Sequence, residues 1–203
     1  MLERAFPPLK FLNFPNIIST VGLFCGFVSF VFAAQGNLQA ALFIYPLTLA
    51  LDSLDGIAAR KMHCASQFGL LLDSFCDCFN FCIIPVFIAY TLGFNSWLAV
   101  GLLFLHIVTG IWRLVYYCII GTQDADSNPY FLGVTTTLSA ALFYVGLSVM
   151  KLLDISNLDL FFIPFFLIVS MSMVSSYKLK KYGFTTILFG VLIPLLMILN
   201  YFF

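Results

Sequence analysis

The sequence predicts an all-α integral membrane protein, a bundle of about seven transmembrane helices, from its composition and the length of its apolar stretches. Of its 203 residues, 62% are hydrophobic and only 9% are charged, and the mean hydropathy is +1.06. A soluble domain carries roughly 25% charged residues, so this chain has too few charges to cover a water-facing surface. Most of its surface must therefore face lipid.

Seven apolar stretches are long enough to cross the hydrocarbon core, which takes about 20 residues. Short polar connections separate these stretches. An amphipathic segment, residues 1–14, comes before them and is expected to lie along the membrane surface. The predicted spans are 16–35, 38–60, 67–92, 96–120, 130–150, 158–177 and 183–202.

The basic residues predict the orientation of the bundle. With a cytoplasmic N-terminus, eight of the nine lysines and arginines fall on the cytoplasmic side, and only Lys151 falls outside. This distribution obeys the positive-inside rule. The formal net charge of zero gives no reason to expect a nucleic-acid partner. We therefore expect a multi-pass membrane protein with its N-terminus in the cytoplasm.

Four of the nine acidic residues fall within residues 51–85, each flanked by apolar sequence. Asp52 and Asp55 are three residues apart and share one helix face, and Asp73 and Asp77 are four apart and share another. The short turn between the two segments makes their helices antiparallel neighbours. The four carboxylates are therefore expected to meet at a similar depth below the cytoplasmic surface.

Four ionised carboxylates at that depth would repel one another at severe cost. Hard divalent cations bound by carboxylate oxygens, Mg²⁺ or Mn²⁺, are the natural compensation. Two such ions would also bridge a pyrophosphate. The alternative is a set of scattered helix-end aspartates that are partly protonated. We predict metal ligation by Asp52, Asp55, Asp73 and Asp77.

Small residues surround the acids. They could let two helices pack closely, which is their commonest use in membranes. They could equally leave room for a flat nucleobase and let the backbone approach a phosphate. The sequence leaves both interpretations open for Gly56, Ala58, Ala59 and Gly69.

The spacing of these residues resembles the sequence pattern of the CDP-alcohol phosphotransferase family. The matching positions read Asp52-x-x-Asp55-Gly56-x-x-Ala59-Arg60-x8-Gly69-x3-Asp73-x3-Asp77. The resemblance implies an enzyme in which an alcohol displaces CMP from a CDP-linked substrate. It also implies a six-helix core over residues 16–182, an extra helix over 183–203, and a homodimer.

The same resemblance implies a role for each matching residue. The first three aspartates would bind the metals, and Asp77 would both contact the metals and act as the general base. The CDP group would be bound by Gly56, Ala59, Arg60 and Gly69.

Further segments look like the bacterial-type phosphatidylserine synthases of that family. Residues 15–26 resemble their first-helix entry, and residues 66–74 resemble their S-x-FG-x-x-LDS pattern. The implied reaction takes CDP-diacylglycerol and L-serine to phosphatidylserine and CMP near the cytoplasmic face. The same resemblance implies a bacterial inner membrane as the location. Where those enzymes read RLARFN, residues 113–118 read RLVYYC. The same chemistry with another small alcohol, a polyol phosphate or an amino alcohol, is therefore the alternative.

Arg113 lies far inside the fourth predicted helix, where an arginine is expensive and usually paired or functional. We predict that it binds a phosphate or the carboxylate of serine. The alternative is that its side chain extends to the membrane interface beside Tyr116 and Tyr117. An ion transporter that uses the acids as a cation site is a third hypothesis. Transporters tend to show repeated halves and broken helices, and the sequence shows neither.

Overall fold

The computed structural model describes residues 7–124, 130–155, 157–180 and 191–202. The predicted all-α membrane fold is confirmed, because seven helices account for most of these residues. A 3-10 helix, Pro7–Phe11, precedes them within the expected interfacial segment. The helices are α1 Phe14–Ala34, α2 Leu38–Lys61, α3 Gln67–Thr91, α4 Trp97–Asp124, α5 Thr136–Leu152, α6 Asp159–Met173 and α7 Ile193–Phe202.

The first four helices are long and apolar enough to cross a membrane, with spans of 21, 24, 25 and 24 residues. Helices α5 and α6 are shorter apolar helices of 17 and 15 residues. The seventh predicted span is described only from residue 191, because residues 181–190 lie outside the described part of the chain. The first six residues of the expected interfacial segment also lie outside it.

The predictions that the fifth span begins at residue 130 and that the sixth ends at residue 177 are wrong. Tyr130–Leu132 is a short strand, β1, which pairs antiparallel with Lys178–Lys180, β2. Apolar residues can form either a buried strand or a buried helix, and hydropathy alone does not separate the two. The two helices are consequently shorter than predicted.

A tight turn at Gly133 separates β1 from α5. The φ angle of Gly133 is +65°, in the left-handed region that favours glycine. Its N–H donates to the carbonyl of Tyr177 at 2.6 Å, and a Cβ at this position would collide with the carbonyl of Ser172. Thr135 then caps α5, because its Oγ1 accepts a hydrogen bond from the N–H of Leu138 at 3.0 Å. These local interactions set the start of α5.

Arg113 and Tyr117 of α4 bind the strand pair to the bundle. Arg113 Nη1 donates to the carbonyls of Leu132 at 2.6 Å and Met173 at 3.0 Å. Its guanidinium carbon lies 4.8 Å from the centroid of the Tyr117 ring, and the Tyr117 hydroxyl accepts from the N–H of Leu132 at 3.0 Å. One face of α4 therefore holds both β1 and the end of α6.

Helix α3 contains a π-helical turn, Cys78–Ile83, between two α-helical parts. The hydroxyl of Tyr45 in α2 donates to the backbone carbonyl of Asn80 at 3.0 Å. Both residues are buried, so this bond gives a partner to a carbonyl in the irregular turn. Such turns occur frequently at functional sites, and this one begins directly after Asp77.

Helix α7 packs against α2 and α5, and it makes a polar contact with α5 inside the apolar bundle. The side-chain amide of Asn200 donates to Ser148 Oγ at 2.8 Å and to Tyr144 Oη at 3.3 Å. Interhelical hydrogen bonds of this kind hold helices together in lipid, where apolar burial alone gives little driving force. The hydrogen bonds of Asn200 therefore hold α7 against α5.

We predict that Gly133→Ala destabilises the protein more than Gly36→Ala. Gly36 has a φ of +76° with nothing within 4 Å of its Cβ position, so alanine there meets only the left-handed strain of about 1–2 kcal/mol. At Gly133 the new methyl group would also displace the Ser172 carbonyl. Thermal unfolding of both variants in detergent measures the difference, and equal losses would contradict the role given to this turn.

Candidate metal and active site

The four aspartates line one cleft among α1, α2 and α3. Carboxylate oxygens of Asp52, Asp55 and Asp73 all lie within 4.8 Å of one another. Asp77 is not part of that trio, but it lines the same cleft and its carboxyl makes a hydrogen-bond contact with that of Asp52. The structure therefore brings together all four acids that the sequence singled out.

Local sequence explains how two helices present these acids to one another. The pairs are spaced three and four residues apart, so each pair lies on a single helix face. Ser66 begins α3, because its Oγ accepts a hydrogen bond from the N–H of Gly69 at 3.1 Å. The connection between Lys61 and Ser66 is short, so α3 runs back alongside α2. The acids of the two helices therefore face each other.

Two hydroxyl groups from other helices orient the carboxylates. Ser19 Oγ of α1 donates to Asp55 Oδ2 at 2.5 Å, and Thr137 Oγ1 of α5 lies 3.4 Å from Asp52 Oδ2. Hydrogen bonds to metal-ligating carboxylates fix their orientation. Neither hydroxyl is among the residues predicted from the sequence. The available signal for Ser19 was a serine within an otherwise apolar span.

The cleft concentrates negative charge without a basic neighbour. Among the described residues that line it, none is a lysine or arginine. Ionised carboxylates this close must share protons or bind cations. The lining offers carboxylate, hydroxyl and amide oxygens, and such oxygens are the ligands that Mg²⁺ and Mn²⁺ prefer. The residues present therefore fit a divalent metal site.

The small residues near the acids have different surroundings. A Cβ on Gly69 would stand 3.0 Å from Asn16 Oδ1 of α1, so close helix packing accounts for a glycine there. A Cβ on Gly56 would meet only the guanidinium of Arg60, 3.5 Å from Nη1. Gly56 and Ala59 are half-buried on α2, while Arg60 is exposed. Gly56 therefore leaves open space near the end of α2.

Arg113 lies outside the acidic cleft. It is 6% exposed and borders a second cavity of about 250 Å³. Its Nη1 is occupied by two backbone carbonyls, as described for the strand pair. A guanidinium carries five N–H groups, and the side chain of Tyr117 is a further hydrogen-bond partner of Arg113. The other residues that line this cavity are Trp112, Tyr116, Tyr117, Leu132, Met173, Val174, Ser175 and Ser176.

The fold and the cleft define an integral membrane protein with a carboxylate site suited to divalent cations. Comparison with known proteins gives the family. The model of the CDP-alcohol phosphatidyltransferase family matches residues 12–169, which include all four helices that contribute to the cleft or its hydrogen bonds. The chain belongs to this family of transferases.

Several relatives with assigned functions share the name CDP-diacylglycerol–serine O-phosphatidyltransferase. The Helicobacter pylori protein is 31% identical over 180 residues, covering 83% of this chain and 72% of the relative. The Mycobacterium tuberculosis protein is 28% identical over 143 residues, covering 68% of this chain but only 49% of the relative. The Bacillus subtilis protein is 29% identical over 126 residues, covering 61% and 69%.

We predict that Ser19→Ala weakens Mn²⁺ binding by roughly 10- to 100-fold, the usual effect of removing a hydrogen bond to a metal ligand. Ser29→Ala is the matched control. It also removes a buried hydrogen bond of α1, from Ser29 Oγ to the carbonyl of Ala41 at 3.0 Å, away from the cleft. Mn²⁺ titration of both purified variants checks this. Equal Mn²⁺ affinities would show that Ser19 does not orient Asp55.

Proposed function

We propose that this protein transfers the phosphatidyl group of CDP-diacylglycerol to the hydroxyl of L-serine, giving phosphatidylserine and CMP. The observation that carries the proposal is the cleft in which oxygens of Asp52, Asp55 and Asp73 lie within 4.8 Å of one another beside Asp77, in a chain of this family. The shared name of these relatives supports serine as the acceptor.

The proposed reaction is an in-line displacement at phosphorus. The serine hydroxyl oxygen forms a bond to the phosphorus that carries diacylglycerol. The bond from that phosphorus to the bridging oxygen breaks, and CMP leaves with that oxygen. Asp77 takes the hydroxyl proton, since it lines the cleft but lies outside the trio of closely grouped carboxylates.

The trio and Asp77 would hold two ions, Mg²⁺ or Mn²⁺. When bound, such ions neutralise charge on the pyrophosphate and polarise the reacting phosphorus. Ser19 and Thr137 keep the carboxylates of Asp55 and Asp52 in fixed orientations.

The nucleotide would lie at the end of α2. Gly56 leaves room beside the backbone, and the guanidinium of Arg60 lies next to Gly56 with its charge available to the CDP group. The half-buried Ala59 would line the same site. Gly69 lies against Asn16. In this proposal it serves the nucleotide site by allowing α3 to approach α1 closely.

Arg113 would bind the carboxylate of serine with guanidinium N–H groups other than those that contact the two carbonyls. The second cavity beside it gives an acceptor space next to those donors. The chain departs from the synthase pattern at residues 115–118. That departure favours the alternative, the same chemistry with a polyol phosphate or an amino alcohol.

We further propose that the cleft opens toward the cytoplasm, because the basic residues favour a cytoplasmic N-terminus. Serine would then arrive from water while the diacylglycerol chains remain in lipid. A homodimer is the proposed assembly, by resemblance to the family.

We expect the purified protein to release CMP from CDP-diacylglycerol faster with L-serine than with glycerol 3-phosphate, inositol or choline. Chromatographic measurement of CMP with each alcohol tests the proposed acceptor. EDTA is the control for metal dependence, and it should abolish release that excess Mn²⁺ or Mg²⁺ then restores. A preference for another alcohol would reassign the acceptor, and full activity in EDTA would contradict the metal site.

We expect Asp77→Asn to lower single-turnover transfer by about 10²- to 10⁴-fold, because the substitution removes the proposed general base. The variant should still bind CDP-diacylglycerol. Asp52→Asn is the matched comparison, and it should weaken nucleotide binding as well because Asp52 would hold metal against the pyrophosphate. Nucleotide affinity and turnover are measured for both variants. Turnover of Asp77→Asn within a few-fold of wild type would exclude the base assignment.

A further inference from the structure

Asn80 presents an unpaired polar atom at the cleft. Its side chain is 3% exposed and lines the cleft together with the four aspartates. Its Oδ1 atom is buried and has no hydrogen-bond partner among the described residues. A buried amide oxygen without a partner costs free energy. This oxygen is therefore an unused acceptor on a residue that lines the cleft.

The surrounding structure is built to admit this side chain. Asn80 lies in the π-helical turn three residues after Asp77, and Tyr45 holds its backbone carbonyl at 3.0 Å. On the facing helix, a Cβ on Gly26 would collide with Asn80 Oδ1. Gly22, one turn earlier on α1, also lines the cleft. The absence of a side chain at Gly26 thus makes the space that the carboxamide occupies.

The chemistry of the cleft favours a cation over a neutral donor as the partner of this oxygen. The walls carry four carboxyl groups and, among the described lining residues, no basic side chain. A cation such as Mg²⁺ takes about six oxygen ligands, and several of these are usually water. An amide oxygen supplies a further ligand or water acceptor without adding a fifth negative charge.

We propose that Asn80 is a cation-contacting residue of this site, whose carboxamide oxygen serves the hydrated divalent ion as a neutral donor. The inference rests on the metal site of the proposed function. Asn80 would be a cation contact in addition to the four aspartates. The π-helical turn would contribute to the site because it places Asn80 in the lining of the cleft.

The test uses the purified full chain in detergent without CDP-diacylglycerol. Free Mn²⁺ is measured by electron paramagnetic resonance during titration, and thermal unfolding is recorded with and without Mn²⁺. Asn80→Leu should weaken Mn²⁺ binding by roughly 10- to 100-fold. Its metal-free unfolding midpoint should equal or exceed that of wild type, because the unpaired oxygen is gone. Asn80→Asp keeps an oxygen at the position and should bind Mn²⁺ at least as tightly as wild type.

Ser139→Ala is the matched control. Ser139 Oγ is also buried without a partner among the described residues, but it does not line the cleft. This variant should keep the Mn²⁺ affinity of wild type, and a loss as large as that of Asn80→Leu would overturn the inference.

Three other results would also overturn the inference. The first is Mn²⁺ affinity of Asn80→Leu within two-fold of wild type. The second is a lower metal-free midpoint of Asn80→Leu with an unchanged Mn²⁺-dependent rise. The third is weaker binding by Asn80→Asp, which also decides the matter if the leucine variant does not fold. Absence of Mn²⁺ binding by wild type would instead contradict the proposed metal site itself.

Discussion

The gathering of four carboxyl groups inside an apolar bundle is the constraint on which the rest of the structure depends. Carboxylates held in lipid-facing helices repel one another and lose hydration, and both effects are costly at low dielectric. Asp52, Asp55 and Asp73 nevertheless have oxygens within 4.8 Å of one another. The surrounding polar groups are arranged to orient these acids and to leave their remaining oxygens facing a shared space.

Helix α1 is as much a part of this arrangement as the helices that carry the acids. At spacings of three and seven residues it presents Asn16 to Gly69, Ser19 to Asp55, and Gly26 to Asn80. These positions follow one face of the helix. That face is small or polar, and the remaining surface of α1 is apolar, with side chains such as Phe24 and Phe27 exposed toward the surroundings. Packing against the acids and exposure to lipid are thus divided between two faces of one helix.

Sequence reasoning predicted the features that depend on local spacing. Helical periodicity placed Asp52 beside Asp55 and Asp73 near Asp77, and hydropathy gave the helices, because both signals are contained in short windows of sequence. It failed where a distant partner decides the local structure. The helix boundary near Gly133 depends on carbonyls of residues 172 and 177, and the hydroxyl of Thr137 reaches Asp52 from 85 residues away. A single sequence shows no such pairings.

The described residues that line the acidic cleft all fall between Ser19 and Asn80. The second cavity, by contrast, is lined by residues from Trp112 onward. Two successive portions of the chain therefore line two separate cavities. Substitutions in the later portion can reshape its cavity while the earlier portion keeps its carboxyl groups unchanged. A fold divided in this way can change the lining of one cavity at a time.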